Sequence, residues 1–105
     1  MQSIGAFMDK DQVLNYLKNH KQYIFNTFGL NKIGLFGSFA RNENKDSSDI
    51  DILFEVEKDK KFSMFQYLKL NKYLEDNLKI KVDLVREAAI KDDMKPYIRK
   101  DLIYV

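Results

Sequence analysis

With no cysteine anywhere in the chain, disulfides, thiolate nucleophiles and cysteine-based zinc sites are all excluded. The same absence fits a reducing compartment, so a cytoplasmic protein is expected. There is one histidine, His20, on the predicted polar side of the first helix, where an exposed ring is expected. That removes Ser-His-Asp schemes and any histidine general base. No apolar run approaches the roughly 20 residues that span a bilayer, and Met1 to Met8 lacks the basic start and long apolar region of a secretory leader. Charge of one sign is scarce too: 18 Lys and Arg against 16 Asp and Glu leave a net +2. Such a balance does not announce nucleic-acid binding, and none is expected. What the chain does have is a 45% apolar fraction and many aromatics, 6 Tyr and 8 Phe. These predict a folded protein, and 105 residues suit a single domain, residues 1–105, with one core.

Local patterns divide the chain into alternating elements. Asp9 and Asp11 are candidate caps for a helix running to about Phe28, with Val13, Leu14, Leu17, Ile24 and Phe28 as its apolar stripe and Gly29 as its stop. Ile33 to Phe36 reads as a buried strand, Ser38 to Arg41 as a short helix and Asn42 to Ser48 as a polar surface loop. Ile50 to Val56 reads as a second strand, and Glu57 to Lys61 as a solvated connection. Ser63 should cap a helix to about Leu78 that turns Met64, Tyr67, Leu68, Leu70, Leu74 and Leu78 inward. Ile80 to Val85 is the third strand, with Asp83 on the face opposite Ile80, Val82 and Leu84. Glu87 to Lys100 is helix-compatible with Pro96 near a start, and Leu102 to Val105 suits a short terminal strand. The pattern predicts an α/β (α+β) fold, a small mixed sheet with helices packed on one side.

Two motifs carry chemistry. After Lys32-Ile33-Gly34-Leu35-Phe36, the chain turns at Gly37-Ser38. A glycine after a strand lets backbone approach a ligand, and the following helix start offers free N–H groups to phosphate. Read blandly, the same turn merely ends a strand, with Ser38 as helix cap. Ten residues on, Ser48-Asp49-Ile50-Asp51-Ile52-Leu53 spaces two carboxylates at i and i+2, on one face of a strand. Two such acids repel unless a positive charge lies between them, and a hard divalent cation takes oxygen ligands. Asp83 interrupts an otherwise apolar strand. If that strand pairs with the second, Asp83 joins Asp49 and Asp51 on one side; otherwise it pairs with Lys81 or Arg86. Arg41 is placed either to contact a phosphate or to brace the acidic loop. A metal held by carboxylates beside a phosphate cradle is what nucleotidyl or phosphoryl transfer requires.

Gly-Ser-Phe-Ala-Arg followed by Ser-Asp-Ile-Asp-Ile resembles the signature of the DNA polymerase β-type nucleotidyltransferase superfamily, and the short length resembles its minimal nucleotidyltransferase branch, which includes the MntA-type antitoxins. The resemblance runs from about Val13 to Val105. It implies the polymerase β-like fold, ATP as donor and magnesium, with a two-metal site. Carried over, Gly37 and Ser38 hold the triphosphate with Arg41 beside them. Asp49 and Asp51 are ligands of the metals, and Asp83 completes the site and helps activate the acceptor hydroxyl. One position departs: the family commonly has Gly after the Arg, where this chain has Asn42, a residue that tolerates left-handed backbone. Larger relatives carry an extra domain for the acceptor and this chain has no residues left over for one. The resemblance therefore implies transfer of AMP to a tyrosine of a cognate HEPN-domain toxin. The alternatives are neutralisation of a partner by binding alone, or nucleotidylation of a small molecule such as an antibiotic, the latter as a homo-oligomer with a shared site.

Overall fold

The computed structural model describes residues 8–105; the reading of the first seven residues lies outside them. Helix α1, Lys10–Phe28, opens with a reciprocal cap: Asp9 accepts from the Gln12 backbone N–H, and the Gln12 side chain accepts from the Asp9 backbone. Asp9, not Asp11, is therefore the cap. The helix ends where Gly29 takes the left-handed conformation, φ 70°, and donates its N–H to Phe25 O.

Strand β1 runs Leu30–Phe36, three residues earlier than the apolar run suggested, because Leu30 is buried and pairs with Val56. Helix α2, Gly37–Ala40, is one turn. Strand β2, Ile50–Val56, lies antiparallel to β1. Helix α3, Met64–Leu78, starts from a second reciprocal cap between Ser63 and Gln66 and carries the chain over to β3, Val82–Arg86, parallel to β2. A parallel neighbour needs a crossover of this kind. The segment from Glu87 to Lys100 is less regular than its composition suggests: one 3-10 turn, Glu87–Ala89, and helix α4, Lys95–Arg99, with Pro96 in its first turn. Strand β4, Ile103–Tyr104, closes the far side of β1, so the four strands stand in the order β3-β2-β1-β4.

Alternation sets the two faces of this sheet. Ile33 and Leu35, Ile50, Ile52 and Phe54, and Val82 and Leu84 face a core completed by Val13, Leu17, Ile24 and Phe28 of α1 and by Leu70, Leu74 and Leu78 of α3. Met64 and Leu68, expected inside, are instead 71% and 56% exposed. They lie on a flank of α3 that the sheet does not cover. His20 is partly buried rather than freely exposed: its ring stacks on Tyr16 at 4.2 Å, and its Nδ1 lies 2.8 Å from Tyr16 O. No described helix is long and apolar enough to cross a membrane.

The outer edge of β3 is blunted by α3. Glu75 Oε2 accepts from Val82 N at 2.8 Å, and the Tyr67 hydroxyl donates to Leu84 O at 2.6 Å. Both bonds occupy edge groups that would otherwise invite another strand. Tyr67→Phe should cost about 1 kcal/mol, read as a lower midpoint in urea unfolding with an unchanged slope.

Candidate active site

The alternation that buries Ile50, Ile52 and Phe54 turns Asp51 to the opposite face of the sheet. Parallel pairing with β3 sets Asp51 directly beside Asp83. The conditional pairing is thus met, and the two carboxylates are neighbours from strands 32 residues apart in sequence. Antiparallel pairing with β1 sets Phe36 opposite Asp51, so the next residue, Gly37, arrives over the same carboxylate. Gly37 has φ +77°, and a Cβ built there would lie 2.9 Å from Asp51 Cγ. Only a glycine leaves room for this approach of backbone to acid.

The consequence is visible in Asp51 itself. Burial, then the charge and hydrogen-bonding reach of Asp83, then the charge of Asp49 push its pKa up from 3.8 to about 6, opposed by Arg41. Two carboxylates crowded side by side and partly buried behave this way. Asp83 forms no ion pair with Lys81 or Arg86 among the described residues; Arg86 lies instead over the Phe62 ring, 5.6 Å from its centre. The competing reading of Asp83 as a paired surface residue is not what the structure shows.

Asp49 stands one residue before β2, not within the ladder, and is exposed. The loop ahead of it is closed by Ser48, whose Oγ accepts from Lys45 N at 2.8 Å while its N–H donates to Lys45 O. Among the described residues, no three His, Cys, Asp or Glu side chains converge as a finished metal cage. The close pair is Asp51–Asp83, with Asp49 near enough for its charge to be felt at Asp51. All three offer hard oxygen donors of the kind magnesium takes.

The turn is built differently from the other helix starts. Helix α2 begins at Gly37, its cap position is Phe36, and no side chain caps it; Ser38 is inside the turn, not its cap. Both long helices, by contrast, have their first N–H groups engaged by side chains. The carbonyls of Gly37, Ser38 and Phe39 are taken by the N–H groups of Arg41, Glu43 and Asn42. This folding back requires left-handed backbone at Asn42, φ 60°, which asparagine accepts. Arg41 is held by Glu43 at 2.9 Å and by Asp101 at 2.8 Å. It braces the loop against the C-terminal segment, and its guanidinium makes no ion pair with the three aspartates. Tyr67 also belongs to the surroundings of Asp83: burial, then the Asp83 charge, raises its pKa. Neither Asp101 nor Tyr67 is signalled by sequence, since each acts through a contact that only the tertiary fold creates.

Comparison with known proteins shows the family and the fold. The nucleotidyltransferase-domain family matches residues 12–105. The chain is 33% identical over 100 residues to the protein adenylyltransferase MntA of Thermococcus cleftensis, covering 95% of this chain and 99% of that one. Among solved structures, a minimal nucleotidyltransferase superposes with a TM-score of 0.76 at 24% identity, covering 93% of this chain and 97% of the other. A chain of the solved complex of a tri-AMPylated Shewanella oneidensis HEPN toxin with MNT antitoxin shares the fold with a TM-score of 0.61 at 20% identity, covering 86% of this chain and 69% of that one. The chain belongs to the nucleotidyltransferase-domain family, with protein adenylyltransferases such as MntA among its relatives.

Proposed function

We propose that this chain transfers AMP from ATP, with magnesium, to a tyrosine hydroxyl of a partner HEPN-type toxin and so serves as the antitoxin of a pair. The observation that carries the reading is the in-register Asp51–Asp83 pair with the Gly37 backbone pressed against it. The T. cleftensis relative, named a protein adenylyltransferase, and the antitoxin fold solved with an AMPylated toxin support the acceptor class.

In this reading Asp49, Asp51 and Asp83 hold the metal, and the uncapped N–H groups at Gly37 and Ser38 receive the triphosphate. When bound, magnesium supplies charge neutralisation to the triphosphate and the acceptor oxygen. The acceptor oxygen bonds to the α-phosphorus, the bond from that phosphorus to the pyrophosphate oxygen breaks, and the hydroxyl proton passes to a carboxylate oxygen of Asp83. The exposure of Asp83 suits a group that meets an incoming acceptor. Arg41, through Glu43 and Asp101, keeps the loop between Gly37 and Asp49 in place.

The reading is tested by expressing the partner toxin with wild-type protein or with Asp49→Ala/Asp51→Ala. Growth should be protected by the first and lost with the second. Undiminished protection by the variant would favour neutralisation through binding alone.

A further inference from the structure

Arg41 is held by carboxylates at two points of its guanidinium. Nε donates to Glu43 Oε1 at 2.9 Å, and Nη1 donates to Asp101 Oδ2 at 2.8 Å. The two acids are not equivalent. Glu43 lies two positions away with 65% of its side chain exposed, whereas Asp101 is 13% exposed and comes from 60 positions on. A carboxylate so far withdrawn from water needs a partner. Among the described residues, the Arg41 side chain is the only hydrogen-bond partner of the Asp101 carboxylate.

Both halves of this pair hang from strand β1. Arg41 follows α2, which begins directly after β1, and its N–H is bound back to Gly37 O. Asp101 precedes Leu102, whose side chain lies over Gly34, and Ile103, which pairs with Leu35. The ion pair therefore ties the one-turn α2 to the C-terminal segment across the strand that ends at the site. The Arg41 charge also reaches Asp51, where it opposes the upward pull of burial, Asp83 and Asp49. A guanidinium has five N–H donors. Two are engaged here, and the others have no partner among the described residues. Arg41 is thus a fixed cation with donors to spare, one turn from the uncapped N–H groups of Gly37 and Ser38.

We propose that Asp101 is a positioning residue for nucleotide binding: it holds the Arg41 guanidinium in a fixed place beside the Asp51–Asp83 pair, with the spare N–H groups offered to the phosphates of ATP. The assignment rests on the AMP-transfer reading above and adds a residue of the C-terminal segment to it. A free arginine has to freeze its long side chain each time a triphosphate arrives. With Asp101 in place that ordering is already done in the folded chain. Glu43, exposed and close in sequence, is the weaker anchor. Asp101 also carries a negative charge that by itself repels a triphosphate, so positioning and repulsion have opposite signs and can be separated.

The test measures the dissociation constant of magnesium-ATP by calorimetry, with the melting temperature of each variant alongside. Asp101→Ala should weaken binding about 5–10-fold, the cost of ordering one long side chain. Asp101→Asn keeps an acceptor for Arg41 and should lose less. Arg41→Ala should weaken binding about 10-fold or more, and adding Asp101→Ala to it should cost nothing further, because Asp101 acts through Arg41. When the partner toxin is labelled with radioactive ATP, Asp101→Ala should raise the KM for ATP and change kcat little. Tyr104→Phe removes the hydroxyl bond to Glu87 and loosens the same segment without touching Arg41, so its affinity for magnesium-ATP should equal that of the wild type. Unchanged affinity in Asp101→Ala at a lower melting temperature would make the pair a staple only and overturns the assignment. So does tighter binding in both Asp101 variants, or a full further loss when Asp101→Ala is added to Arg41→Ala. Each of these leaves the transfer reading intact while the wild type binds magnesium-ATP and labels its partner. Binding that depends on Asp101 with no labelling overturns the transfer reading alone, and a wild type that binds no magnesium-ATP overturns both.

Discussion

Asp51→Asn should abolish AMP transfer and, in the metal-free protein, raise stability. The Asp51 carboxyl has its pKa raised from 3.8 to about 6 in the folded chain, so the folded state binds that proton more tightly than the unfolded state does. By linkage its contribution is most favourable below about pH 4 and is lost as pH rises through 6. At pH 7.5 the ionised group therefore opposes folding. The shift corresponds to roughly 3 kcal/mol; because the carboxylate is only half-buried, solvent screening reduces this to about 1 kcal/mol. Asparagine keeps the shape without the charge. The variant should melt about 4–8 °C higher at pH 7.5 in the presence of a chelator, and its stability should vary less between pH 4 and 7. Magnesium should raise the melting temperature of the wild type and not that of the variant. A variant that melts below the wild type in chelator would contradict the crowding of the acids.

Gly37→Ala should be nearly as damaging to transfer, and harmful to the fold as well. The position combines φ +77° with an approach that leaves a built Cβ 2.9 Å from Asp51 Cγ and 3.2 Å from Asp51 Cβ. Left-handed strain at a non-glycine residue costs about 1–3 kcal/mol, before the contact is relieved. Relief requires Asp51 to turn away from Asp83, because its backbone is fixed by pairing on both sides. Activity should fall by two orders of magnitude or more, as expected for a displaced catalytic group. Gly34→Ala is the matched control. Its added Cβ would meet Ile103 O at 2.9 Å, so it should loosen β4 and lower stability while the aspartates keep their arrangement. Equal loss of kcat in both variants, at equal melting temperature, would mean that the Gly37 approach has no special role.

Much of this site was legible because its parts follow local rules. Alternation along Ile50 to Val56 set the face of Asp51, whereas the pairing that brings Asp83 alongside was legible only as a condition, met by the parallel register of β2 and β3. Cap residues marked the starts of both long helices, Ser63 directly and Asp9 with Asp11 as the alternative, and the structure adds the reciprocal partners Gln12 and Gln66. The failures have equally physical causes. Met64 and Leu68 share the spacing of a buried stripe, but spacing says which residues lie together, not how far the sheet extends beneath them. Asp49 obeys the i, i+2 rule only inside a strand, and β2 starts one residue later. Glu87 to Lys100 has helix-forming residues, but forms only a 3-10 turn and one short helix. The anchor of Arg41 on Asp101 spans 60 positions, which no local pattern can announce.

The central claim is that Asp51 and Asp83 from two neighbouring strands, with Asp49 just ahead of the first, perform AMP transfer to a partner protein. Its most direct test is intact mass spectrometry of the partner HEPN-type toxin after incubation with ATP, magnesium and this protein. The account predicts a mass increase in whole multiples of AMP on the partner, located by fragmentation to tyrosine, and absent with chelator, with Asp51→Asn or with Asp83→Asn. An unmodified partner in a complex with folded, magnesium-ATP-loaded wild-type protein would contradict it.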